Sequence, residues 1–226
     1  MRNTKVGALL CLILTVSLAT SGCTLWTVVR NEKQAAGGGT QFYFDDNSFD
    51  ADKYVASIWE DKVLPHMTEK AADAGEVAAL AKDGLDKAGE KYGFRTSSVG
   101  TAWNFIVKGK ARVLKINTAS RNGTAELDLA PYDGAMDMIL QIGPVFKGTS
   151  VRDALDFIKF DDYKNQMVFA SISTAFNTYI RDHVTQGVNT TDLEGKEIEF
   201  IGAFTGESAD NLVVTPVRIT RDGEGT

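Results

Sequence analysis

The sequence predicts an α+β fold: a five-stranded, OB-like Greek-key barrel with helices inserted between strands 3 and 4, preceded by an N-terminal helical hairpin. Three observations predict it. Apolar residues alternate with polar ones from Trp103 to Val113, and they recur at spacings of three and four over residues 50–92 and again toward Val184. From residue 99 onward the order is three strands, helical material, then two strands. A plain α+β sheet with helices on one face uses the same elements and stays open as the alternative.

The N-terminus reads as an address. Arg2 and Lys5 precede the apolar stretch Val6–Leu18, and Ala19-Thr20-Ser21-Gly22-Cys23 places small residues before a cysteine, a lipobox pattern with Thr20 where Leu is the best match. Residues 1–22 are therefore expected to be a removable lipoprotein signal peptide, with Cys23 the lipidated first residue. The competing reading is a retained membrane helix, since Val6–Val29 carries no charge and is long enough to cross a bilayer. Residues 23–48 form the lipidated N-terminus and a tether that includes Gly37-Gly38-Gly39. Thr24 after the cysteine favours the outer membrane in an enteric-type cell, so the expected location is the periplasmic side of the envelope, on the inner or outer membrane.

Asp50 is placed to cap a helix whose apolar stripe is Tyr54, Val55, Ile58, Trp59, Val63 and Met67, with Pro65 ending or kinking it. Thr68–Tyr92 carries Val77, Leu80, Ala81, Leu85 and Ala88 on one face, so residues 50–95 read as a helical hairpin. Residues 99–221 hold the barrel and two helices. Gly109 in the first long strand suggests a bulge or sharp coil. Asn122-Gly123 suggests a hairpin turn into a strand with Glu126 and Asp128 facing out, and Asp137–Val145 a third strand. Ser150 and Asp153 stand in a capping-box relation, and Asp161 or Asp162 begins a longer helix to about Val184. Gly195–Thr205 and Leu212–Thr220 complete the barrel.

Composition excludes several classes. The formal charge is −6, and the mature part has no basic run, so nucleic acid is not an expected partner. The only cysteines are Cys11, lost with the signal, and Cys23, which leaves no disulfide, thiol nucleophile or thiolate metal site. His66 and His183 lack a second ligand at metal spacing, so no metal and no cofactor is expected. The run Asp45–Asp52 fails the EF-hand pattern, having Phe and Asp where it needs an acceptor and a glycine. No G-x-S-x-G elbow is present, and the adjacent Asp161 and Asp162 point different ways, which suits capping better than glycoside hydrolysis.

One polar constellation remains. Arg152 and Asp153 start one helix and Asn165, Gln166 and Asn177 line the next, with Arg95 and Asn104 as companions; together they could hydrogen-bond a neutral ligand. The structural reading is that Arg152 pairs with a carboxylate while the amides tie helices to the barrel. Phe160, Tyr163 and Phe169 read as core.

The lipobox, Gln141-Ile142-Gly143-Pro144-Val145, Gly148 to Leu155, Phe160 to Gln166, and Gly195-Lys196 through Gly202 together resemble the predicted periplasmic lipoproteins of domain-of-unknown-function family 2291. The resemblance covers most of residues 20–220 and implies export, lipidation and company with sugar-importer components. The expected function is thus a non-catalytic binding or scaffold module, held to the membrane by acyl chains on Cys23, its partner a transporter component or a small neutral solute. The alternative is an extracytoplasmic hydrolase acting on saccharide or envelope material.

Overall fold

Asp50 opens helix α1 (Ala51–Ile58) by accepting a hydrogen bond from the Lys53 amide at 3.0 Å. A wide π turn, Trp59–Val63, then leads into α2 (Leu64–Lys70). Pro65 therefore does not end the helix: it lies in the first turn of α2, directly after the π turn. The computed structural model describes residues 49–95, 101–163, 165–186, 188 and 190–221. The expected signal peptide, Cys23, the glycine run and Asp45–Ser48 lie outside the described residues.

The expected second helix is broken. A short strand β1 (Ala72–Asp73) pairs parallel with Val107 and Lys108, Asp73 caps α3 (Ala74–Asp83), Gly84 at φ 146° turns the chain, and α4 (Leu85–Tyr92) runs into β2 (Gly93–Phe94). The two halves of the expected hairpin consequently pack into different hydrophobic clusters, α1 and α2 in one, α3 and α4 in the other. The parallel pairing of β1 is what parts them.

The barrel follows: β3 (Asn104–Asn117), β4 (Asn122–Leu129), β5 (Met138–Pro144), β6 (Glu197–Thr205) and β7 (Val213–Arg221). β3 pairs antiparallel with β4 and β6, β4 with β5, and β6 with β7, while β5 runs parallel to β7 and closes the ring. This is the connectivity of the expected five-stranded Greek-key barrel. Between β5 and β6 lie α5 (Ser150–Asp153), α6 (Phe160–Tyr163) and α7 (Gln166–Tyr179), the last continued by a π turn, Ile180–Thr185.

Two apolar layers hold the molecule. The inward row Phe105, Val107, Ala111 and Val113 meets Leu127, Leu140, Phe200 and Phe204, and α3 joins it through Ala74, Val77, Ala78 and Ala81. The outward row Ile106, Ile201, Ala203 and Val217 packs in one cluster with α1, α2, α5 and α7, where Trp59 stacks on Tyr179 at 4.4 Å. Each fully buried large side chain contributes about 1.5–3 kcal/mol. Both faces are thus dry over Phe105–Val107 of β3 and Phe200–Phe204 of β6, while Lys108, Lys110, Arg112 and Glu199 reach solvent.

Three local expectations need correcting. Register runs unbroken through Gly109, and the irregularity falls between Val113 and Lys115; a Cβ at Gly109 would stand 3.0 Å from Ala74 Cβ, so this glycine admits α3 rather than a bulge. Asn122 and Gly123 lie inside β4, because the turn is made by residues 118–121; a Cβ at Gly123 would come within 2.4 Å of the Gly143 carbonyl oxygen. Asp128 does not face out. It is 1 % exposed, and the chain after β4 folds back to donate the Asp133 and Gly134 amides to its carboxylate at 3.2 and 3.0 Å. Asp128→Ala is expected to destabilise the protein by about 1.5–2 kcal/mol, since both amides lose a charged acceptor. Urea denaturation measures it, and Asp128→Asn, which keeps one acceptor oxygen, should lose less.

Candidate functional site

The described residues enclose a cleft of about 1100 Å³. Its lining comes from the start of β3 and β4, the middle of β5, the facing ends of β6 and β7, the segment from Lys147 to Asp161, and Phe94–Arg95. The barrel thus supplies one side of the cleft and the helical insertion another.

The barrel side is built around Gln141, which is 3 % exposed. It lies on the outward row of β5, since Leu140 and Ile142 belong to the interior cluster. Its Nε2 donates to the Lys147 carbonyl at 3.0 Å and to Thr215 Oγ1 at 2.7 Å, and its Oε1 accepts from the Lys147 amide at 2.8 Å and Asn122 Nδ2 at 3.0 Å. The carboxamide uses both donors and accepts twice, so it clasps the chain leaving β5 to the strands beside it. Ser150 Oγ lies 3.1 Å from Thr215 Oγ1, extending the network under α5.

On the helical insertion Arg152 pairs with Asp153, Nη2 to Oδ1 at 2.6 Å, donates Nη1 to the Phe169 carbonyl at 3.0 Å, and lies 3.8 Å over the Phe169 ring. Asp153 also accepts from the Thr149 hydroxyl. That differs from the expected capping box: Thr149, not Ser150, occupies the cap position, and Asp153 serves Arg152. Arg95 lies 3.8 Å over the Trp103 ring, and Trp103 Nε1 donates to Asp86 at 2.9 Å. Asn104 accepts from Thr205 Oγ1 at 2.8 Å.

Of the seven residues singled out as ligand contacts, Arg95, Asn104, Arg152 and Asp153 line this cleft. The other three do not. Asn165 caps α7 by accepting from the Met167 amide at 2.8 Å, which also explains why the helix starts there and not at Asp161 or Asp162. Gln166 is exposed in the first turn. Asn177 supports the wall from behind, donating to the Gly148 carbonyl at 3.1 Å. Phe160 is not core: it is 42 % exposed, lines the cleft, and packs edge-on to Phe169. Gln141, Asn122 and Thr215 were missed; the legible signal was a lone amide within the apolar run Met138–Ile142.

The model of the family described as predicted periplasmic lipoproteins (DUF2291) matches residues 13–220, which takes in both walls of the cleft. The chain belongs to the DUF2291 family. A search of curated proteins finds no match. Among solved structures this DUF2291 chain is similar to an OB-fold protein from Thermotoga maritima MSB8, with 19 % identity, a TM-score of 0.63, and coverage of 76 % of this chain and 98 % of that one. That likeness establishes the OB fold, helices and strands together, for the DUF2291 chain. Among its described residues no group of three or more His, Cys, Asp and Glu side chains is placed to hold a metal ion.

Behind the Phe169 wall, Tyr163 donates its hydroxyl to Tyr54 at 2.8 Å beside Phe49. Burial foremost, then this hydrogen bond, holds the Tyr163 phenol protonated well above its ordinary 10.0. The unfolded chain ionises first, so the stability this contributes is complete below pH 10 and is lost as pH rises from there through the native value. An ultraviolet tyrosinate titration is expected to show a late-ionising tyrosine that moves earlier in Tyr54→Phe. An unchanged curve in that variant would contradict the assignment.

Proposed function

We propose that this lipoprotein is a non-catalytic binding module, lipid-anchored through Cys23, whose cleft takes a small polar solute on the periplasmic side and serves a transporter component, the partner implied by the family resemblance. The observation that carries the reading is the cleft itself: its two sides bring donors, acceptors and a partly exposed aromatic ring to one cavity of about 1100 Å³, a size suited to a small molecule.

The hydrolase reading has less support. Asp153 is committed to Arg152 and Thr149, Asp156 lies 3.8 Å from His66, and Asp161 and Glu207 are exposed, so the cleft's carboxylates are not set as a sheltered acid and nucleophile.

The test is native mass spectrometry and thermal-shift screening of the lipoprotein purified from its own membranes, against a panel of small neutral and zwitterionic solutes. At least one solute is expected to raise the melting temperature, and Asn104→Ala is expected to weaken it. The same spectra should carry acyl mass on Cys23. A panel with no binder, together with a co-purified transporter subunit, would replace the solute reading with a scaffold.

A further inference from the structure

The proton count at the barrel side of the cleft points to the chemistry of the ligand's inner end. Ser150 and Thr215 line the cleft, are 7 % and 1 % exposed, and stand with their hydroxyl oxygens 3.1 Å apart. Thr215 Oγ1 already accepts from Gln141 Nε2 at 2.7 Å, and Gln141 has no donor or oxygen position to spare. The two hydroxyls own two hydrogens between them. One closes the Ser150–Thr215 bond, whichever way it points. The other has no acceptor among the described residues: in one arrangement it sits on Thr215, in the other on Ser150.

A hydroxyl hydrogen so deeply placed in a polar site needs an acceptor. The charges of the cleft indicate which kind. Asp153 is neutralised by Arg152, and the other lining carboxylates, Asp156, Asp161 and Glu207, are all exposed. Arg95 is half-buried and has no ion pair among the described residues, whereas Lys147, whose main chain holds Gln141, keeps its ammonium at an exposed position. The half-buried charges that line the cleft are therefore Arg95, Arg152 and Asp153, a net of +1, which favours an anionic group there. We infer that the Ser150–Thr215 hydroxyl pair is the seat for a carboxylate on the bound solute. This rests on the cleft being a binding site and names the end of the solute that enters it.

Isotope-labelled full mature lipoprotein in detergent micelles, titrated with sodium acetate or with ethylammonium chloride at matched ionic strength, tests it by amide chemical shifts. Acetate is expected to move the Ser150 and Thr215 signals saturably, and ethylammonium, which offers donors only, is not. Ser150→Ala alone leaves the Thr215 hydrogen available, so it should retain binding; Ser150→Ala with Thr215→Val removes both hydroxyls and should weaken acetate about tenfold or more. Equal effects of the two probes on the wild-type protein, or acetate shifts centred on Arg95 and Asn104 instead, would overturn the assignment without any variant having to fold. Acetate bound equally well by a folded double variant would also overturn the seat, while leaving the cleft a binding site. If neither probe moves any cleft signal, the seat is overturned; whether the cleft binds at all is then read separately from the solute panel.

Discussion

Gln141→Leu is expected to destabilise the protein by about 3–4 kcal/mol. Leucine fills nearly the same volume on β5, so the loss comes from four hydrogen bonds and not from a cavity. Thr215 loses its donor inside the structure, and Asn122 Nδ2 keeps only the Val145 carbonyl at 3.0 Å. The Lys147 amide and carbonyl lose their partner on a residue whose side chain faces solvent, so water recovers part of that cost. With about 1–3 kcal/mol for each buried group left unmatched and a discount at Lys147, the stated range follows. Urea denaturation gives the free energy, and hydrogen exchange locates it. The Lys147 amide should lose protection while the β3–β6 ladder keeps its own, because the clasp holds the segment leaving β5 and not the barrel. A loss below about 1 kcal/mol would mean that solvent reaches the site freely, and the hydrogen count at Ser150 and Thr215 would have to be redone.

That clasp also marks where sequence reading stopped. Strand and helix periods were legible because each element buries one dominant face, and the order of elements led to the barrel. The outer layer was harder to see. Phe105-Ile106-Val107 and Phe200-Ile201 are buried as consecutive residues, since α1, α2, α5 and α7 cover the outside of the sheet while α3 enters the inside. A stretch of strand dry on both faces loses its alternation there, so its second partner is invisible in its own sequence. The break at Ala72–Asp73 has the same character: its helical pattern is locally adequate, and only pairing with Val107 and Lys108 selects a strand. In the site, Arg152 and Asp153 were legible as adjacent opposite charges beside an apolar stretch. Asn177 and Gln166 were not separable from them, because their use depends on which face of α7 meets the wall.

A single methyl group is expected to reach the cleft from behind. Gly89 is buried on α4, and a Cβ there would lie 2.2–2.3 Å from three atoms of the Trp103 ring. Gly93 packs against the same ring, where a Cβ would come within 2.8 Å. The indole therefore rests on two glycines, is held by its bond to Asp86, and carries the Arg95 guanidinium at 3.8 Å. Gly89→Ala must shift either the helix or the ring. Overpacking of this kind costs about 1–3 kcal/mol, here at the upper end because the ring is rigid. The helix interior recovers roughly 0.5–1 kcal/mol from replacing glycine. The net loss is expected to be about 2 kcal/mol, with Arg95 displaced from the cleft and solute affinity reduced along with stability. A double-mutant cycle with Trp103→Ala separates the two effects. Removing the ring abolishes the clash, so Gly89→Ala should become neutral or slightly stabilising in that background, and the two changes should be strongly non-additive. Additive losses would mean that the glycine is needed for the path of α4 itself and that the tryptophan does not couple it to the cleft.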